Sequence, residues 1–391
     1  MREIRQMLRR LCPDGVEYRK LGDVCEINKG IQFNKRDMNA TGTYPVINGG
    51  IAPSGYIEQY NRCEETITVS QGGASAGFVN WLDRKFWAGA HCYTIVPSER
   101  VDNRFLFHFV KSREGKFKES QYGAGIPALP KLTLENLPVP VPPMAVQREI
   151  AATLDKFTTL EAELEAELEC RKKQYEFYRN ALLSFDGSRA AGVEWARLGD
   201  VCEMRGGYTP SKKVPEYWEN GNIPWFRMED IRENGRILSD SIQHITPEAV
   251  KGRGLFPANS IIMATTATIG EHALLIVDSL ANQRFTNLAI RESFSSRIEP
   301  MFFFYYMFVL GEWCKNNINA SSFASVDMNK FRNVLVPVPP IAEQRRIVEI
   351  LDRFDALTTS LSEGLPAEIK ARREQYEFYR DRLLTFERKL P

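Results

Sequence analysis

PVPVPPMAVQREIAATLDKFTTLEAELEAELECRKKQYEFYRNALLSF occupies residues 138–185, and VLVPVPPIAEQRRIVEILDRFDALTTSLSEGLPAEIKARREQYEFYRDRLLTF occupies residues 334–386. The two stretches are copies of one pattern. Each opens on prolines that stop whatever precedes, and each carries the hexapeptide QYEFYR, at 174–179 and 375–380. An internal duplication fixes the architecture before any local detail does. In the first copy apolar side chains fall at Ile150, Leu154, Phe157, Leu160, Leu164, Leu168, Tyr175, Tyr178 and Leu182, with Arg171 in the one missing slot. The second shows Ile347, Leu351, Phe354, Leu357, Leu361, Leu365, Ile369, Tyr376, Tyr379 and Leu383, with Arg372 in the gap. Steps of three and four keep such a stripe on one face of a helix. A helix over residues 144–185 would be about 60 Å long, more than one globular core needs. The pattern predicts a spacer, with two helices packed along their stripes as a coiled coil.

The copies differ in length. Gln147 and Gln344 are 197 residues apart, whereas Gln174 and Gln375 are 201 apart, so the second copy gains four residues near Gly364, Leu365 and Pro366. Four residues add one step to the stripe and disturb any supercoil locally. Pro366 removes a backbone donor, which predicts a kink or break there.

The remainder of the 391 residues is duplicated as well. YRKLGDVCEINKG at 18–30 has its counterpart in WARLGDVCEMRGG at 195–207. A short amphipathic helix (Ile4, Met7, Leu8, Leu11) precedes GVEY at 15–18, as the first long helix precedes GVEW at 192–195. The order is therefore globular, helix, globular, helix. The expected divisions are 1–18 for the N-terminal helix and lead-in, 19–137 for the first module and 138–190 for the first spacer. The second module takes 191–333 and the second spacer 334–391. The fold class is α+β: two similar globular modules separated by two long helices, related by a pseudo-two-fold. Both modules show short β-rich runs broken by glycine. SQGGASAGFV from Ser70 in one matches TTATIGEHAL from Thr265 in the other, so one fold carries different surfaces. The apolar run MFFFYYMFVL at 301–310 is too short to span a bilayer and predicts a buried helix.

Composition excludes several classes. Net charge is +1, and no signal peptide or membrane-spanning run is present. Seven scattered cysteines, never spaced as CxxC, point to a reducing cytoplasm and away from zinc. No phosphate-binding GxxxxGK[ST] loop, no GxGxxG and no methyltransferase Asn/Asp-Pro-Pro-aromatic motif occurs. His91 and Cys92 are adjacent in an apolar run and read as buried structural residues. Glu161, Glu163, Glu165, Glu167 and Glu169 read as a solvated helix face. No catalytic residues and no metal ligands are expected.

Reading of nucleic acid is the chemistry that remains. Residues 19–137 carry 15 Lys and Arg against 12 Asp and Glu, and residues 196–333 carry 15 against 15. Phosphate neutralisation supplies much of DNA affinity, so modules this neutral need local patches or a partner. Base-reading loops combine small, polar and basic residues. In the first module these are Lys29, Gln32, Asn34, Lys35, Ser70, Gln71 and Ser75. In the second they are Arg205, Tyr208, Thr209, Ser211, Lys212, Thr265, Thr266, Thr268, Ser321, Ser322 and Ser325. Each taken alone is equally well an ordinary solvated loop residue.

LGDVCE after a short helix, PVPP-x3-QR at 140–148 and 337–345, LD[KR]F from Leu154 and Leu351, and QYEFYR-x2-LL together resemble the specificity subunit of type I restriction–modification systems. The resemblance covers essentially the whole chain, with the motifs in order and mostly in duplicate. It implies two target-recognition domains held apart by two helical regions packed antiparallel, each domain reading one half of a bipartite site in double-stranded DNA. The helices would act as a ruler and, with nearby surfaces, dock two modification subunits. It further implies that this chain is not an enzyme and holds no cofactor. S-adenosylmethionine for adenine methylation, and ATP with Mg2+ for translocation and cleavage, would belong to the modification and restriction subunits. A coiled-coil adaptor without sequence specificity is the alternative, and it gives no reason for two similar modules.

Overall fold

The first module begins and ends in one two-stranded ladder. A computed structural model describes residues 2–120, 127–186, 192–319, 324–359 and 364–389. Helix α1 (Arg2–Leu11) buries Ile4. Strand β1 (Tyr18–Lys20) leads to the single turn α2 (Leu21–Val24), the LGDV of the repeat, whose Leu21 and Val24 are buried. Seven strands follow: β2 (Cys25–Lys29), β3 (Tyr44–Ile47), β4 (Tyr56–Ile57), β5 (Thr66–Ser70), β6 (Val79–Leu82), β7 (Trp87–Ala88) and β8 (Cys92–Pro97). One sheet is antiparallel in the order β2-β8-β5-β6; the other runs β4-β3-β7, with β3 and β7 parallel. Every residue of β5 is buried. Helix α3 (Asn103–Lys111) packs Phe105, Leu106 and Phe109 into the same core, and the Asp102 side chain accepts from the Phe105 amide at 2.9 Å as its N-cap. Helices α4 (Glu114–Glu119) and α5 (Lys131–Glu135) lead to β9 (Pro138–Pro140), which pairs antiparallel with β1. Prolines suit this short ladder because an edge strand does not need every donor. Helix α6 (Met144–Leu183) then leaves the module.

The second module repeats the plan. Its elements are β10 (Glu194–Arg197), α7 (Leu198–Val201), β11 (Cys202–Gly206), β12 (Ile223–Phe226), α8 (Met228–Asn234), β13 (Ile237–Leu238), β14 (His244–Ile245), β15 (Ser260–Ala264), β16 (His272–Leu275), β17 (Leu280–Ala281) and β18 (Phe285–Ile290). Then come α9 (Glu292–Ser295), α10 (Pro300–Asn316), β19 (Ile318–Asn319), β20 (Ser325–Val326), α11 (Met328–Arg332) and β21 (Leu335–Val338). The order β11-β18-β15-β16 reproduces the first large sheet, with β13 added beyond β16, and β14-β12-β17 reproduces the small one. β10 pairs with β21 as β1 pairs with β9. Helix α10 contains the 301–310 run and is buried along most of it, as its composition predicts.

The spacer helices are α6, α12 (Ile341–Thr359) and α13 (Gly364–Leu383). The chain divides into two compact units, Met1–Ala166 with Ala367–Pro391, and Glu167–Pro366, so the division falls inside the helices. In the first unit Phe157 stacks on Tyr379 with centroids 5.3 Å apart, and Arg373 pairs with Glu161 at 2.7 Å and Glu165 at 3.0 Å. Numbering rises along α6 as it falls along α13, so these segments run antiparallel. Two members of the glutamate ladder therefore meet a cation on the facing helix instead of water alone. In the second unit Phe354 of α12 stacks with Tyr175 and Tyr178 of α6, at 6.2 and 5.5 Å.

Ile150, Leu154, Leu164, Tyr175, Ile347, Leu351, Leu365, Ile369, Tyr376 and Leu383 of the stripe are buried. Phe157, Leu168, Leu182, Phe354 and Tyr379 are half-buried, and Tyr178 is 42% exposed. Leu361 lies outside the described residues, between α12 and α13. The proline forecast is met by a break: Pro366 occupies the first turn of α13, where a missing amide costs nothing. Gly364 starts that helix at φ +78°, and a Cβ there would lie 2.5 Å from the Ala356 carbonyl oxygen.

Equivalent fastenings tie each module to the helix that leaves it. Gln147 and Gln344 are fully buried. Gln147 Oε1 accepts from the Asp102 amide at 2.8 Å, and its Nε2 donates to the carbonyls of Arg100 at 3.0 Å and Pro142 at 2.7 Å. Gln344 does the same with the Glu299 amide at 2.9 Å and the carbonyls of Arg297 and Pro339, both at 2.7 Å. The far ends match too. Phe386 packs on Phe105 at 6.3 Å in the first unit, and Phe185 on Phe302 at 6.1 Å in the second. Each module is thus entered by the end of one long helical segment and left by the start of the next. The first unit also joins its earliest and latest segments, with the Val16 amide donating to Glu387 O at 2.8 Å.

Candidate nucleic-acid interface

In the first module the ends of four strands converge on one rim. Lys29 ends β2 opposite Tyr93, Ile47 ends β3 opposite Ala88, and Ser70 ends β5 opposite Cys92. The turn at 89–91 between β7 and β8 lies among them. The Gly30 amide donates to Cys92 O at 2.9 Å, and the Gln71 amide to His91 O at 2.8 Å. A Cβ on Gly30 would sit 2.1 Å from Gly89 O, so the loop after β2 lies directly on this turn only because the position is glycine. Gly72 bridges to Ala128, adding a further loop to the rim.

Of the seven residues expected here, Lys29, Gln32, Asn34 and Lys35 are exposed, and Gln71 and Ser75 are half-buried. Gln32 to Lys35 follow a stretch pinned over β7, where Trp87 Nε1 donates to Ile31 O at 2.9 Å and Phe33 meets Trp87 edge-on at 5.2 Å. Ser70 is only 5% exposed, because it is still part of β5 and is covered on both sides by paired strands. It supports the rim from beneath. The His91–Cys92 pair divides: Cys92 is buried, which pushes its thiol up to about 12, while His91 is exposed at the rim.

The second module builds the same rim from other side chains. Gly207 N donates to Phe285 O at 2.8 Å, Tyr208 N to Ala281 O at 2.9 Å, and Thr265 N to Arg284 O at 3.0 Å. Thr266 bridges to Ser325 as Gly72 does to Ala128. Ser211 and Lys212 are exposed; Tyr208, Thr209, Thr266, Thr268 and Ser325 are half-buried. Ser321 and Ser322 lie outside the described residues.

Four second-module candidates are hydrogen-bonded within the module. Thr265 is 8% exposed, and its hydroxyl shares a 3.0 Å hydrogen bond with that of Thr286. Arg205 donates to the carbonyls of Arg253, Gly254 and Leu255 and lies over the Phe256 ring, 4.8 Å from its centroid. Partial burial holds its pKa below the ordinary arginine value. Tyr208 donates to Ala249 O at 3.1 Å and accepts from the Lys251 amide at 2.9 Å. Thr209 donates to the Gln283 side-chain oxygen at the rim.

Superposing the two hydrogen-bond patterns makes residues 89–91 equivalent to residues 282–284. His91, Gln283 and Arg284 are exposed at this turn and were missed in the sequence, where they sit at the edge of apolar runs. The signal that finds them is the paired register of the two modules: GAH and NQR each immediately precede the strand that crosses the middle of the sheet. Among the described residues no cluster of His, Cys, Asp or Glu is placed to hold a metal ion, and no helix is long and apolar enough to cross a membrane.

Comparison with known proteins agrees with this geometry. The family described as type I restriction modification DNA specificity domain matches twice, over residues 13–170 and 191–371. The specificity subunit of the type I restriction enzyme EcoR124I/EcoR124II of Escherichia coli is 34% identical over 398 residues, covering 95% of this chain and 94% of that one. The EcoprrI specificity subunit of Escherichia coli is 55% identical over 201 residues, 50% of each chain. Among solved structures, the type I restriction-modification S subunit from M. genitalium aligns with a TM-score of 0.59 at 19% identity, over 95% of this chain and 96% of that one. A structure of a type I R-M system described by its complex assembly and conformational transition aligns at 0.62 and 18%, over 95% and 97%. Those structures share the fold, the family match spans both modules, and the chain belongs to the type I restriction modification DNA specificity family.

Proposed function

We propose that the chain reads a bipartite site in double-stranded DNA, one half-site with the rim of residues 19–137 and the other with that of residues 191–333. An unspecified gap separates the half-sites. The observation that carries this reading is one rim built twice on one backbone plan with different exposed side chains. A shared frame with unlike surfaces is what two readers of unlike sequences require.

The chain supplies recognition and no chemistry of its own. It directs two modification subunits that methylate adenine with S-adenosylmethionine, and restriction subunits that use ATP and Mg2+, all acting in the cytoplasm. Its near-neutral charge supports this division: a chain of net +1 releases few counterions by itself, and its partners provide most of the grip on phosphate.

The test is exchange. Replacing residues 19–137 with the corresponding module of another family member, in the complex with the modification subunits, is expected to change one half-site and leave the other. A change in both half-sites, or in neither, would overturn the assignment of one reader to each module.

A further inference from the structure

We infer that Arg284 and His91, at equivalent positions of the two rims, are specificity-determining residues, each reading a base edge in one half-site. The inference rests on the DNA-reading function proposed above.

Both residues sit third in the turn before the strand that crosses the middle of the sheet, and both turns are fixed by the same set of bonds. Gly89 N donates to Ile47 O at 2.8 Å and Asn282 N to Phe226 O at 3.0 Å. Cys92 N closes the first turn on Gly89 O at 3.0 Å, and Phe285 N closes the second on Asn282 O at 3.1 Å. The carbonyl oxygens of His91 and Arg284 accept from Gln71 N and Thr265 N.

Even the remaining amide is satisfied alike, by different means. His91 N donates to Asn48 Oδ1 at 2.9 Å, and Arg284 N to Asn282 Oδ1 at 3.0 Å. An asparagine from β3's end does in one module what an asparagine within the turn does in the other. The backbone is thus held on both sides and at both polar groups, while both side chains are exposed and make no hydrogen bond among the described residues. Two glycines flank His91: a Cβ on Gly49 would stand 3.4 Å from its Cβ, and one on Gly72 3.9 Å from its Nδ1. A fixed backbone carrying an unspent polar side chain suits direct readout, because the backbone has little freedom left to lose on contact.

The side chains define the ligand chemistry. Arg284 presents a planar fork of donors that matches O6 and N7 of guanine in the major groove. His91 offers one ring N–H to a single purine acceptor. Arg205, the other rim arginine, is committed to backbone carbonyls and is not available in this way.

The experiment uses the full chain in complex with its modification subunits, with methylated adenines mapped in cells carrying wild type, Arg284→Ala, Arg284→Lys or His91→Ala. Arg284→Ala is expected to relax one G·C position in a single half-site, lowering discrimination there by roughly 5- to 150-fold. His91→Ala should relax one purine position in the other half-site. Arg284→Lys should keep guanine preferred but more weakly. Uniformly weaker methylation with every position of the motif kept would mean phosphate contacts, and would overturn the inference while sparing the two-reader function. Equal melting temperatures and equal complex formation among the variants separate loss of reading from loss of fold. A wild-type complex with no two-part motif would instead sink the proposed function itself, and this inference with it.

Discussion

A single buried amide fastens each module to its outgoing helix. Gln147 satisfies one amide and two carbonyls within the first unit, and no shorter side chain reaches all three. Gln147→Ala should cost about 1–3 kcal/mol, the penalty for polar groups left buried without partners, and Gln344→Ala should cost a similar amount in the second unit. Urea denaturation of the full chain reads this; a change under a few tenths of a kcal/mol would mean that the fastening is redundant. A second residue-scale forecast concerns pH. His108 is buried, with Nε2 2.8 Å from Asp155 and Nδ1 3.1 Å from the Tyr376 hydroxyl, and Arg104 pairs with the same carboxylate. Burial lowers the His108 pKa below its ordinary 6.5 and outweighs the opposing pull of Asp155. Burial alone would raise Asp155, but hydrogen bonds from His108 and Arg104 bring it down to about 2. Both folded values are depressed, so both contributions are present at neutral pH and are lost on acidification: for His108 as pH falls below about 6.5, for Asp155 only below about 4. Stability should therefore fall as pH drops below about 6.5, and His108→Gln should flatten part of that slope. His272, which burial lowers to about 3, keeps the rest. An unchanged slope in the variant would contradict the assignment to His108.

At the scale of elements, α13 opens on a glycine in a left-handed conformation. Gly364→Ala combines a left-handed φ with a Cβ driven onto the Ala356 carbonyl, and should destabilise by about 1–3 kcal/mol. Gly115→Ala in α4 meets nothing within 4 Å and should be neutral or mildly stabilising. Melting curves of the two variants make the comparison; equal stability would mean that the junction yields freely. The helices were legible in the sequence because a stripe of threes and fours is a local signal, and the break because proline is one. The end of α6 was less so. Leu182 was expected in the stripe, yet Leu183 is the more buried of the two, since the last turn answers to α10 through Phe185 and Phe302 and no longer to a helix partner. Sheet order was not legible at all, because β2 pairs with β8 across more than sixty residues and the register is set by what else packs there. For the same reason polar type alone does not separate Ser70 and Thr265, which are buried at strand ends, from His91 and Arg284, whose exposure comes from the turn that carries them.

At the scale of the whole molecule, duplication is the organising fact. Each unit contains one module, the start of its own outgoing helix and the end of the other, so the first unit joins two separate pieces of chain, Met1–Ala166 and Ala367–Pro391, while the second is the continuous piece Glu167–Pro366. The four residues that lengthen the second copy fall at this junction. Deleting residues 365–368 should change the gap between half-sites, or the affinity, and leave both half-site sequences as they are. Altered half-site sequences would count against a ruler. The most direct test of the two-reader account is to express the chain with its modification subunits in a host lacking other adenine methylation, and to map methylated adenines by single-molecule sequencing. The account predicts one motif: two short, unlike half-sites at a fixed distance, with unspecified bases between them. A continuous motif, or methylation without sequence preference from a stable complex, would contradict it.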